Sequence, residues 1–256
     1  MRQLSKLTLP NSITRCMQYA IPSSLLVGCL CGLTILTPSY ASERIRWTPD
    51  PERGSVGSTL SGGRRGQEAA SCSPGTSERD TQLALMVPGD QSRLLTTQTS
   101  PTLAWHVSTV VPVSMTFHFS DPTLATPIYT QTVTLDQTAT ISVTLPKENR
   151  LEAEKRYRWT VFVSCPYDTQ TEISARSFIE LVDGESLNIL GVEHLSHLEQ
   201  ASAYASQGIW YNTIAALLTA RNQGVTDAET MVQSLLEQSQ NEANVNLSMV
   251  VNISGG

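Results

Sequence analysis

Residues 156–164 read Arg-Tyr-Arg-Trp-Thr-Val-Phe-Val-Ser, and their alternation constrains the fold more than any other stretch. Tyr157, Trp159, Val161 and Val163 fall on one face of a strand, and Arg158, Thr160, Phe162 and Ser164 on the other. A face that apolar needs a second layer to cover it. Six further runs rich in β-branched and aromatic residues occur at 82–87, 102–107, 113–119, 128–134, 139–145 and 173–182. Between them stand turn formers such as Pro88-Gly89-Asp90, Asp121-Pro122, Leu135-Asp136-Gln137 and Pro146. This spacing predicts a mainly β domain over 81–183, an antiparallel sandwich of the immunoglobulin or fibronectin type III kind. Leu151 and Tyr157 resemble the corner that opens the corresponding strand of such sandwiches.

After Asp183-Gly184 the period becomes helical, and 184–240 is expected to hold a short helical hairpin and one more helix. Leu187, Leu190, Leu195, Leu198 and Tyr204 follow helical spacing with a break near Gly191, and Gly208 ends that helix. Trp210, Ile214, Leu217 and Leu218 line the next helix, which Gly224 closes. Thr226 and Glu229 stand at N-cap and capping-box spacing for a third. The segment 203–221 is spaced like one tetratricopeptide hairpin, although a single unit is not an array. Trp210, Tyr211 and Asn212 are the expected interaction surface of this region. Residues 241–256 turn polar and are expected to form a flexible tail, with a short strand near 245–251 as the alternative.

Upstream, 42–80 is rich in Gly, Pro and Arg and poor in apolar residues, the composition of a flexible linker. Residues 1–41 have the pattern of a secretory signal. Arg2, Lys6 and Arg15 precede an apolar core at 24–37, and Ser39-Tyr40-Ala41 supplies the small-residue exit. That core is shorter than the ~20 residues a spanning helix needs, so no transmembrane span is expected in the mature chain. Leu26-Val27-Gly28-Cys29 looks like a lipobox. Apolar sequence runs on past Cys29, which speaks against a lipid anchor there. Cys16, Cys29 and Cys31 leave with the signal. The remaining pair, Cys72 and Cys165, reads as a disulfide in an oxidising periplasmic or envelope compartment.

The whole chain carries 17 Lys+Arg against 23 Asp+Glu, a formal charge of −6. Losing the three signal cations and no acid takes the mature chain to −9. From Asp183 onward there are eight acids and one base, Arg221. A nucleic-acid binder is disfavoured by this balance. If the acidic helical region has a partner, a basic protein is expected.

Motifs for hydrolysis, zinc, calcium or dinucleotide chemistry do not occur in the mature sequence. His106 and His118 fall on predicted strands and are read as structural. His194 and His197, with Glu193 beside them, have i, i+3 spacing that would place two imidazoles on one helix face. They are the metal candidates, but no third ligand is identifiable, so neither metal nor cofactor is expected. Glu152, Glu154, Lys155, Arg156 and Arg158 form a mixed-charge run, read as a solvated edge rather than a paired-carboxylate site. Trp105, Trp159 and Trp210 could stack a sugar or peptide, but their positions fit core burial better.

Several pieces together resemble one family. They are the signal, the Gly/Arg arm ending in Cys72, Leu83-x-Leu85-x-Val87-Pro88, Pro101-Thr102-Leu103-Ala104-Trp105, Tyr157-Arg158-Trp159 through Cys165, and Gly208-Ile209-Trp210-Tyr211-Asn212. The chain is similar, over about residues 50–236, to exported cyanobacterial proteins classed as domain of unknown function 928. That family often has an aromatic ahead of a Leu-Leu pair in its last helix, where Val232 precedes Leu235-Leu236 here. The resemblance implies export and architecture, and it brings no activity or catalytic residue with it. The expectation is a non-enzymatic exported interaction or scaffold protein of the cell envelope. The alternatives are a carbohydrate- or peptide-binding module and a hydrolase of unrecognised type.

Overall fold

Alternating side chains sort the β region into two layers whose apolar faces meet. A computed structural model describes residues 45–48, 70–72, 81–89, 94–166, 171–187, 189, 191–239 and 245–254. All of them belong to the unit 41–256. The signal and Cys29 lie outside the described residues.

In chain order the strands are β1 (Ala70–Ser71), β2 (Gln82–Leu85), β3 (Leu95–Thr96), β4 (Thr102–Ser108), β5 (Val113–Ser120), β6 (Tyr129–Leu135), β7 (Ala139–Thr144), β8 (Arg156–Ser164), β9 (Glu172–Leu181) and β10 (Val250–Ser254). Three helices, α1 (His197–Ser206), α2 (Trp210–Asn222) and α3 (Asp227–Gln238), lie between β9 and β10. One sheet has the order β1-β2-β4-β7-β10 and the other β3-β9-β8-β5-β6. The seven strands expected from alternation all form.

The sheets are mixed, which corrects the antiparallel expectation. β3 runs parallel to β9, and β10 runs parallel to β7. Parallel neighbours need a long connection. Here whole elements intervene: β4 to β8 between the first pair, and β8, β9 and all three helices between the second.

The core lies between the layers. Trp105 of the first sheet stacks on Phe117 of the second, with ring centroids 5.6 Å apart and planes within 3°. Trp159 on β8 packs against both rings. Each of these three side chains is fully buried, and stacked or tilted aromatic pairs add about 0.5–1.5 kcal/mol beyond their area. The Tyr157 hydroxyl accepts the Glu152 N–H at 3.2 Å. Cys72, directly after β1, is bonded to Cys165 at the end of β8, with Cα atoms 5.5 Å apart.

Parts of two segments expected to be free are held. Within the linker span 42–80, Ile45 and Trp47 are buried, and Ala70–Ser71 pairs with β2. Trp47 meets Trp210 edge-on at 4.8 Å, its N–H donates to Gln238 Oε1, and Thr48 N–H donates to Ala205 O. The apolar pair Ile45 and Trp47 is enough to anchor a short stretch of otherwise polar chain. Within the expected tail 241–256, Val245 and Leu247 are buried, and β10 pairs with β7 from Val250↔Thr140 to Ser254↔Thr144.

The helices also depart in detail. Leu187 lies in a 3-10 turn (Glu185–Leu187), and α1 starts only after Ser196. Ser196 and Glu199 form a reciprocal capping box there. Thr226 sits at the N-cap of α3 but is helical in backbone and makes no side-chain cap. Gly208 adopts φ +70° in the three-residue step from α1 to α2, a conformation that side chains resist. Among the described residues, no helix is long and apolar enough to cross a membrane.

Candidate functional site

The Trp210-Tyr211-Asn212 triplet opens α2, and its place in the fold is the reverse of the one expected. All three are buried, Asn212 to 1% exposure, so they are not an outer interaction surface. They form an internal clasp between helices and sheets. Trp210 Nε1 donates to Met86 O at 2.8 Å. The Tyr211 hydroxyl accepts from Trp159 Nε1 and donates to Phe178 O, each at 2.8 Å. Asn212 Oδ1 accepts from Thr96 Oγ1 at 2.8 Å and from Thr97 N–H at 3.1 Å, while its Nδ2 donates to Thr97 Oγ1 at 2.6 Å. Burial pushes the Tyr211 hydroxyl well above the usual phenol range, against smaller opposing effects of its Ser177 and Trp159 hydrogen bonds. It therefore acts as a neutral donor–acceptor.

Nine of the thirteen α2 residues are buried, which explains why one apolar face was too narrow a description of this helix. α2 packs against α1 and α3 as well as β3 and β4. α3 buries Ala228, Met231, Val232, Leu235 and Leu236, so Val232 fills its place beside the Leu pair.

His194 and His197 do not share a helix. His194 ends the 3-10 turn Val192–His194, exposed beside Glu193, whereas His197 is the first residue of α1 beyond the Ser196 cap. The capping box at Ser196 starts a new helix between them and breaks the presumed i, i+3 register. His197 Nδ1 lies 3.4 Å from Gln200 Oε1. Among the described residues, no group of three or more His, Cys, Asp or Glu side chains is placed to hold a metal ion. His106 is buried on β4 against Thr140 Oγ1 at 3.0 Å, and burial lowers its pKa to about 4. It is therefore neutral at pH 7. His118 lies edge-on to Phe162 on the half-exposed outer face of the second sheet.

Among the described residues, a groove of about 390 Å³ opens beside the β5–β6 turn, lined by Asp121, Leu124, Glu148, Arg150, Glu152, Lys155 and neighbours. Part of the mixed-charge run contributes to it. Lys155 pairs with Glu152 at 3.0 Å with both side chains exposed, whereas Arg156 turns away to Glu180 at 2.6 Å. Asp121 accepts the Thr123 hydroxyl and N–H, and these bonds hold its carboxyl below the ordinary range. It is a fixed anion at neutral pH, unsuited to donating a proton. Sequence reasoning missed this groove because Asp121, Glu148 and Lys155 come from three separate turns.

No curated protein matches the chain. Residues 60–250 match the family described as Domain of Unknown Function (DUF928), a span that takes in β1–β9, all three helices and the clasp. The chain belongs to that family.

Proposed function

We propose that this is an exported, non-enzymatic interaction protein of the cell envelope, in which a disulfide-closed sandwich presents an acidic helical region to a basic partner. The observation that carries the reading is the clasp. Trp210, Tyr211 and Asn212 fix the helices to the sheets, so the charge on the outer helical surface is held in a defined place. The Cys72–Cys165 bond supports export, because such bonds persist in oxidising compartments. Strand order supports an immunoglobulin or fibronectin type III reading of the body: β2, β4 and β7 adjoin in one sheet, and β6, β5, β8 and β9 in the other. The helical hairpin reading rests on α1 and α2, which are joined by a short step and pack together.

Affinity recovery of the tagged protein from envelope fractions, with mass spectrometry, tests the proposal. A basic protein is expected, and replacing Glu193, Glu229 and Glu237 by Gln should abolish its recovery. Finding nothing above background contradicts the reading. Sugar or peptide stacking on tryptophan is the weaker reading, since Trp105, Trp159 and Trp210 are all fully buried.

A further inference from the structure

Among the described residues, β6 is the terminal strand of the second sheet, hydrogen-bonded to β5 on one side only. The other terminal strands are short: two residues in β1, two in β3 and five in β10. β6 has seven, Tyr-Thr-Gln-Thr-Val-Thr-Leu, with no charge, Pro or Gly among them. Proteins normally blunt so long an edge with Lys, Pro or a bulge, because its unpaired N–H and C=O groups template another strand. Here the irregularity stands only at the entrance, where Ile128 N–H bonds Phe119 O.

We infer that β6 is a self-association edge, through which two copies of this chain pair antiparallel about Thr132 and join their second sheets. The occupant follows from symmetry and charge. An antiparallel pair centred on Thr132 sets Thr132 opposite Thr132, Thr130 opposite Thr134, and Tyr129 opposite Leu135. Thr130, Thr132 and Thr134 are all exposed, so the outer face of the seam is a run of Thr–Thr pairs, a favourable cross-strand combination. Two copies of a chain with formal charge −6 repel, and an uncharged strand is where they meet at least cost. This inference is independent of the envelope-partner reading.

Sedimentation equilibrium of the oxidised protein from about 1 µM to about 1 mM tests it. The expected result is a monomer–dimer equilibrium. Thr132→Lys and Thr132→Glu each set like charges across the two-fold axis and should raise the dimer Kd at least about threefold. An equimolar mixture of the two variants should recover a dimer at least as tight as the unsubstituted one. The exposed position of residue 132 leaves the fold intact, which circular dichroism checks. A monomer throughout the range overturns the inference. So does a dimer that neither variant weakens, or a mixture that shows no recovery.

Discussion

Asn212 uses both ends of its amide on Thr96 and Thr97, more than a hundred residues earlier in the chain. Replacing it by Ala leaves the buried Thr96 hydroxyl and the half-buried Thr97 N–H without their acceptor. Asn212→Ala should therefore cost about 1–3 kcal/mol in chemical denaturation, and Asn212→Asp should not restore it: the Thr97 hydroxyl can turn to donate to the new carboxylate, but a charge at a position only 1% exposed loses its hydration. His106 makes a pH-dependent contribution of known sign. Its folded pKa, about 4, lies below the ordinary value of 6.5, so the unfolded chain binds the proton first. The stability is fully present above pH 6.5 and is lost as pH falls toward 4, by about 3 kcal/mol at most. Urea midpoints measured across that window should drop in the unsubstituted protein and drop less in His106→Gln. Equal slopes would contradict the assignment.

At the scale of elements, the strands that sequence reveals are those long enough to alternate. β8 shows four buried residues on one face over nine positions, and its pattern is visible without a structure. β1 and β3 have two residues each, too few for a period, and both are defined by the neighbour they pair with. β10 was legible in part: the alternation over 245–251 offers a short strand there, and the strand forms a few residues later, at Val250–Ser254, with Val245 and Leu247 buried ahead of it. The clasp was invisible for a different reason. An apolar helical face says which residues are buried, but the polar partners of Tyr211 and Asn212 lie far away in sequence. The α1 start was legible in Ser196-His197-Leu198-Glu199 and was masked by leucine spacing that runs on from Leu187. Ser196→Ala should lower stability by about 1 kcal/mol, seen as a smaller denaturation midpoint with an unchanged slope.

On the scale of the whole molecule, one covalent bond and one clasp tie distant parts of the chain together. Cys72 and Cys165 are 93 residues apart, and closing that loop is worth about 4–5 kcal/mol through loss of unfolded-chain entropy. Reduction, or Cys72→Ser with Cys165→Ser, should shift the unfolding midpoint down correspondingly. The larger claim is that helices and sheets are one cooperative unit because Trp210, Tyr211 and Asn212 are shared between them. Native-state hydrogen exchange on the oxidised protein tests this directly by comparing amides at 214–218 in α2 with those at 159–163 in β8. The account predicts that both sets exchange through the same global opening, with the same free energy and denaturant dependence. An α2 that opens at a free energy about 2 kcal/mol or more below that of β8 would contradict it.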